Sequence, residues 1–395
     1  MMLSENQMSE DQNALAAMGA ASCPKPCVPS ESGCGRCEAA HELPRTSALL
    51  FAAHDDDADL TLRKVLSEAN FTFAAVGPVL VVRDIRARLG EIGALLKNAL
   101  LPCAQECIQA AYVPGGIANV AQAMSALMHA QPLWEMAGRF EHEWIRDALK
   151  EGWLFSMFHP IVNAGTGEVF AYEALLRARD PAGGKIYGAG QIIDACGKLQ
   201  LQHQLDQRAR QAAISGASGN LPAGARVFVN FLPNTIYDPE ICLRTTMQAA
   251  ERYNLQLSQL VFEVVETEKI PDMAHLLRIL NYYRSRGMRT AIDDMGAGFT
   301  GVEYITALKP DFVKLDREFV LDAEATLSGR HKMDEMISAA KTHGAQLIAE
   351  GIETCAQMDM CVSAGVDFLQ GFLFAMPACP PQAITWPAKG NRMAA

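Results

Sequence analysis

The chain has 395 residues, half of them hydrophobic and a fifth charged, with a formal net charge of −11. That is apolar material enough for one large and one small domain, and the acidic balance argues against binding DNA or RNA duplexes or an anionic membrane. A phosphate-bearing small molecule stays open, because bound cations can invert the charge of a local site. No apolar run approaches the length of a membrane span, and the opening MMLSENQMSEDQ is no secretory signal, so a cytoplasmic protein is expected. Its 11 cysteines are then expected as thiols or metal ligands rather than disulfides.

Residues 1–45 read as a disordered tail, polar and rich in Met, Ala and Ser. Within it Cys23, Cys27, Cys34 and Cys37 could bind a structural zinc, the second pair having a good chelating spacing. The alternative is a flexible tail that happens to carry thiols. A small α+β unit is expected over 46–139. Residues 47–53 read as a strand, and the acidic run Asp55-Asp56-Asp57 as the start of a helix carrying Leu60, Leu62, Val65 and Leu66. Residues 71–83, with Gly77-Pro78 inside, suggest a hairpin. Residues 85–111 read as one long helix with Cys103 and Cys107 in the core, and 117–130 as a second. There is no cofactor or nucleotide motif here; a sensory or a dimerising role fits equally.

From residue 140 to about 380 apolar strands alternate with amphipathic helices, and 381–395 read as a tail. Strands are expected near 154–162, 169–176, 226–231, 260–265, 289–293, 311–315, 346–350 and 368–370. Eight strands with helices after most of them predict a modified (β/α)8 barrel. The tight turn at 163–167 implies that one strand runs antiparallel to the rest.

The strand at 289–293 ends in the adjacent carboxylates Asp293 and Asp294, followed by a glycine-rich loop. Two such neighbours repel unless a cation compensates them; otherwise the pair is solvated or caps a helix. The other strands bring Glu173, Asn230, Glu263, Lys314, Glu350 with Glu353, and Gln370 toward the same end. Taken singly, each could be a satisfied core residue or a cap. Together they converge on the barrel mouth where active sites of this architecture lie. Six carboxylates there cannot all stay ionised without divalent cations. The donors are oxygens, with no cysteine and no obvious histidine, which suits Mg²⁺ or Mn²⁺ better than zinc. Two such ions would let the mouth accept a phosphodiester and activate a water. Lys314 could offset developing charge, and Arg177 is placed to grip a phosphate oxygen.

These residues also carry a family resemblance. Glu173-Ala174-Leu175-Leu176-Arg177 resembles the signature of EAL-domain cyclic di-GMP phosphodiesterases. In order, Phe158-His159-Pro160-Ile161-Val162, Val229-Asn230-Phe231, Phe262-Glu263-Val264-Val265-Glu266 and Asp293-Asp294-Met295-Gly296-Ala297-Gly298-Phe299 resemble further motifs of that family. So do Val313-Lys314-Leu315-Asp316, Ala349-Glu350-Gly351-Ile352-Glu353-Thr354 and Gln370-Gly371-Phe372-Leu373-Phe374. The resemblance implies hydrolysis of cyclic di-GMP to linear pGpG. It implies one metal held by Glu173, Asn230, Glu263 and Asp293, and a second by Asp293, Asp294 and Glu350. Lys314 and Glu350 would contact the hydrolytic water, Glu353 and Gln370 would shape the site, and Leu176 and Arg177 would meet the substrate. It further implies a homodimer formed through the region after the fifth strand.

Three departures from the family pattern stand out. In the loop around Glu266, Met295, Gly296, Gly298 and Phe299, Met295 and Phe299 replace the usual Phe and Tyr, with Thr300-Gly301 following. Val265 replaces a Thr, and His159 stands where Gln is frequent. None removes a metal ligand, so the loop bears on regulation more than on competence. No cyclase motif is present. The main reading is an active phosphodiesterase. The alternatives are a cyclic di-GMP receptor without turnover, and an interaction protein acting through the N-terminal unit.

Overall fold

The computed structural model describes residues 47–83, 85, 88–114, 116–117, 119–265, 272–295 and 301–387, without the side chains of Pro114, Val265, Asp294 and Met295. Cys23, Cys27, Cys34 and Cys37, and the loop residues Glu266, Gly296, Gly298 and Phe299, lie outside the described residues. Two compact units emerge. One takes the described residues up to Gly152 with Asp194–Leu201; the other takes Trp153–Ile193 and those from Gln202 on. Among the described residues no helix is long and apolar enough to cross a membrane.

The smaller unit is built on β1 (Ser47–Ala53), the middle of a five-stranded antiparallel sheet with β2 (Phe73–Val76), β3 (Val79–Arg83), β4 (Ile108–Pro114) and β5 (Gln131–Pro132). Alternation along β1 sends Leu49 and Phe51 to one face and Ala48 and Leu50 to the other. The first pair joins the core formed with α1 (Asp56–Glu68), α2 (Leu89–Ala99) and residues Leu133, Met136 and Phe140. The second meets Ala123, Ala126 and Leu127. Asp55 caps α1, its Oδ1 accepting from the Ala58 N–H at 2.7 Å, so the acidic run serves a helix start.

The long helix expected over 85–111 does not form. It breaks after Ala99 and resumes at Pro102 as the short α3 (Pro102–Glu106), because proline begins a helix but cannot continue one. The remainder is β4, which pairs along all of β1 from Ser47↔Pro114 to Ala53↔Ile108. Cys103 is exposed, not in the core as expected, while Cys107 is half-buried and packs against the edge of the core. Three helices complete this stretch of chain, α4 (Val120–Leu127), α5 (Leu133–Phe140) and α6 (Trp144–Glu151).

The larger unit is a closed barrel. Its strands are β6 (Leu154–Asn163), β7 (Val169–Arg179), β9 (Arg226–Phe231), β10 (Leu260–Val265), β11 (Arg289–Met295), β12 (Phe312–Leu315), β13 (Gln346–Ala349) and β14 (Phe368–Gln370); β8 (Ile186–Tyr187) only extends β7. The order β6-β14-β13-β12-β11-β10-β9-β7 closes through β6–β7. β6 is antiparallel to both of its neighbours and the other seven are mutually parallel. α7 (Ala189–Leu199) is divided between the two units, and the helices of the barrel unit are α8 (Gln202–Asn220), α9 (Pro239–Cys242), α10 (Arg244–Arg252), α11 (Met273–Ser285), α12 (Gly301–Leu308), α13 (Arg317–Ala325), α14 (Leu327–Thr342) and α15 (Cys355–Ala364).

The two-residue repeat of each strand divides its side chains between helices and barrel interior. Phe158, Val229, Phe262, Ile292, Val313, Leu347 and Leu369 belong to the core shared with the helices. A separate interior cluster takes one residue from every barrel strand: Ile161, Ala171, Phe228, Val261, Ala291, Phe312, Ile348 and Phe368. Phe170 stacks on Phe368 with ring centroids 3.8 Å apart. This apolar layer plugs the barrel, and the next interior position along each strand must sit directly above it.

Candidate active site

Two residues beyond the plug on each parallel strand stand Glu173, Asn230, Glu263, Asp293, Lys314, Glu350 and Gln370. On β6, which runs the other way, the equivalent step leads back from Ile161 to His159. All eight positions above the plug are therefore polar. Most are deeply buried, Glu263 completely and Lys314 to within 1%. Asn230 and Glu350 are partly open.

Lys314 is the centre. Its Nζ lies 3.4 Å from Glu173 Oε1, 2.7 Å from Glu263 Oε2, 3.0 Å from Asp293 Oδ1 and 2.6 Å from Glu350 Oε1. Burial alone would push the ammonium toward neutrality. Asp293, Glu173, Glu263 and Glu350 together outweigh it and hold Lys314 well above the usual lysine range. One cation cannot satisfy four carboxylates. Burial drives Glu263 and Glu350 well above the ordinary carboxylate range against the pull of Lys314, and neighbouring acids push the same way. Glu173 also feels burial, but Lys314 and the Gln370 amide bring it below its ordinary value. Glu263 Oε2 and Glu350 Oε1 meet the ammonium at ion-pair distance without hydrogen-bond alignment, and Glu263 Oε1 has no hydrogen-bond partner among the described residues.

Glu173, Glu263 and Asp293 each offer a carboxylate oxygen within 4.8 Å of the other two. Asn230 Nδ2 lies 3.5 Å from Glu173 Oε1, which places an amide beside the same group. An unsatisfied buried carboxylate beside an all-oxygen donor set fits a hard divalent cation.

Other expected site residues sit apart from this ring. Glu353 faces outward, its side chain 44% exposed, and accepts from Arg317 Nε at 3.2 Å. Leu176 and Arg177 are half-buried farther along β7; Arg177 shares the strand face of Glu173 and donates to the Leu176 carbonyl at 2.7 Å. Asp294 and Met295 lie on β11, but their side chains fall outside the described residues.

Two parts of the site were not singled out by residue type. His159 joins through register: it sits opposite Glu173 across the antiparallel β6–β7 pair. The buried pair Asp206–Arg210 on α8 braces the loop after Asn230, with Asp206 Oδ1 accepting from the Leu232 N–H at 2.9 Å and Arg210 Nε donating to Thr246 at 3.0 Å. Its four-residue helical spacing was visible in the sequence; its burial was not.

The closed barrel with carboxylates gathered at the strand ends is the class of fold in hand, and comparison narrows it. A profile of the EAL domain matches residues 142–377. The chain belongs to the EAL domain family. It is 29% identical over 240 residues to a protein named probable cyclic di-GMP phosphodiesterase PdeG from Escherichia coli K12, covering 60% of this chain and 46% of that one. It is 28% identical over 238 residues to cyclic di-GMP phosphodiesterase NbdA of Pseudomonas aeruginosa, covering 60% and 30%. The chain thus spans less than half the length of these curated relatives. A standalone EAL protein from Vibrio cholerae O395, solved in its c-di-GMP-bound form, superposes with a TM-score of 0.52 at 32% identity over 59% of this chain and 95% of that one. Klebsiella pneumoniae BlrP1, solved as a manganese and cyclic di-GMP complex, matches 87% of this chain and 99% of its own at a TM-score of 0.54 and 20% identity. That last likeness is one of fold, and it reaches beyond the barrel into the N-terminal unit.

Proposed function

We propose that the barrel hydrolyses cyclic di-GMP to linear pGpG using two divalent cations, Mg²⁺ or Mn²⁺, at the polar ring. The observation that carries this reading is the convergence of Glu173, Asn230, Glu263, Asp293, Lys314 and Glu350 above the apolar plug in a member of the EAL family. Glu173, Asn230, Glu263 and Asp293 would hold one cation, and Asp293, Asp294 and Glu350 a second. When bound, divalent cations acidify water and offset the negative charge of a phosphodiester in displacement.

The chain's own groups do the rest. Lys314 keeps its proton and remains a fixed positive charge facing the reacting phosphate. Glu350, the least buried carboxylate around Lys314, can take the proton of the attacking water once positive charge returns it to the ionised form. Arg177, on the face of Glu173, grips a phosphate oxygen of the substrate, and Leu176 packs against it. The two-fold character of the substrate gives no requirement for a second subunit, but the family resemblance leads us to expect a homodimer.

Incubation of the purified chain with cyclic di-GMP and Mg²⁺ or Mn²⁺, followed by chromatography, tests the reading. Metal-dependent pGpG that disappears with a chelator and in Glu173→Ala is expected. Tight binding of the dinucleotide without any product would instead assign the chain to receptors. Neither binding nor product would overturn the reading.

A further inference from the structure

We propose that His159 is the residue that orients the Gln370 amide, and through it Glu173, for divalent-cation binding. The inference rests on the function proposed above and assigns a positioning role to a side chain outside the carboxylate set.

The chain of contacts has one direction. His159 Nε2 lies 3.2 Å from the carbonyl oxygen of Ala375, which can only accept, so the ring proton is on Nε2. Nδ1 is then a bare acceptor. It sits 2.9 Å from Gln370 Nε2, and the other proton of the same nitrogen goes to Glu173 Oε2 at 2.7 Å. Turned over, the amide would set its oxygen against both a carboxylate and a bare ring nitrogen. The histidine tautomer therefore decides which way the amide points. With Oε2 pinned, Glu173 turns Oε1 toward Lys314 and Asn230, the side on which Glu263 and Asp293 also present oxygens. Gln370 Oε1, buried and without a hydrogen-bond partner among the described residues, is left as a fixed acceptor.

The topology explains why this task falls to β6. In the closed sheet β6 lies between β14 and β7, the strands of Gln370 and Glu173. Only a side chain on β6 at this level has both as neighbours. His159 is 7% exposed, and burial pushes the imidazole below its usual range. The carbonyl of Ala375 fixes its far side, and the Phe372 ring, 5.9 Å away between centroids, packs beside it.

Calorimetric titration of the full chain with Mn²⁺ in the absence of nucleotide tests the assignment. His159→Phe keeps a ring but removes both nitrogens, and should weaken Mn²⁺ by about 10–100-fold, the usual effect of removing a group that orients a metal ligand. His159→Gln can both donate to Ala375 and accept from Gln370, and should recover most of the affinity. Should His159→Phe fail to fold, Gln370→Met breaks the same relay from its other end and should show the same loss. Where both fold, combining them should cost nothing further. Equal Mn²⁺ affinity in folded His159→Phe and the parent chain, or no recovery in His159→Gln, overturns the inference while leaving the proposed function standing. A parent chain that binds no Mn²⁺ overturns the proposed function and the inference with it.

Discussion

Replacing Lys314 with Met keeps the length of the side chain and deletes the single positive charge that four carboxylates share at 2.6–3.4 Å. Breaking a buried ion pair by removing one partner costs about 3–5 kcal/mol, because the other partner stays buried and uncompensated. For a unit of this size that is about 6–20 °C in melting temperature, at about 2–4 °C per kcal/mol. The loss should depend on pH with a defined sign. Glu263 and Glu350 sit above their ordinary value of 4.5 in the folded chain even with Lys314 present. The folded state therefore holds their protons more tightly than the unfolded state does. Their contribution to stability is greatest at low pH and falls as pH rises above 4.5 toward the raised values. Without Lys314 nothing opposes that rise, so the deficit of the variant should be small near pH 5 and large near pH 8. Mn²⁺ should restore the missing positive charge and raise the melting temperature of the variant more than that of the parent chain. Melting followed by circular dichroism in chelator and in Mn²⁺, at both pH values, reads all three effects. A deficit independent of pH and of cation would refute the reasoning and reduce Lys314 to a packing element.

Three further outcomes are expected. Glu173→Gln should abolish pGpG formation and weaken Mn²⁺ binding, and melting in chelator near pH 7 should fall, since Glu173 is held below its ordinary value and the variant loses its ion pair with Lys314; unchanged turnover in chromatography would remove Glu173 from the site. Asp316 is buried and pushed up to about 6 from 3.8, mainly by burial, while its Oδ1 accepts from the Phe319 N–H at 2.8 Å as the cap of α13. Its stability contribution is lost as pH rises through about 6, by at most about 3 kcal/mol, so Asp316→Asn, which keeps the acceptor, should raise the melting temperature near pH 8 and gain nothing near pH 4. A gain at both pH values would contradict that account. A Cβ on Gly371 would overlap the backbone of Ile352, so Gly371→Ala should destabilise by at least about 1–3 kcal/mol and shift Gln370 with it, visible as lost stability together with weaker Mn²⁺ binding.

The barrel was legible because its strands announce themselves twice. Val227-Phe228-Val229 or Leu347-Ile348-Ala349 are continuous apolar runs, as strands buried on both faces must be, and each ends in a polar residue. The polar ends were thus readable strand by strand. What periodicity could not supply was the level at which each residue stands. Glu350 and Glu353 both follow β13 and look equivalent in sequence, yet one reaches Lys314 and the other pairs outward with Arg317. His159 was hidden for the opposite reason. On a strand running backwards its place above the plug comes before the plug residue, and only the pairing with β7 reveals it. In the N-terminal unit the helical reading of 85–111 failed because residues 108–114 are needed as the second partner of β1, a long-range demand that local pattern does not record.

The reversed first strand also sets the order in which the barrel can be completed. β6 is stitched on one side to β7, its neighbour in sequence, and on the other to β14, the last strand of the barrel. A nascent chain can zip β6 to β7 early, but the second edge of β6 stays open until residues 368–370 arrive. Until then β6 and β13 each present an unpaired edge, and the acids collected from β7 to β13 face an unsealed wall. Closure is a contact between opposite ends of the domain, so it is entropically costly and comes late in folding. The strand that closes the barrel is the one that delivers Gln370, so the wall and the relay to Glu173 are finished in the same step. A chain cut before β14 would thus lose more than one side chain: it would keep all of the site's acids and none of the enclosure that gives them their properties.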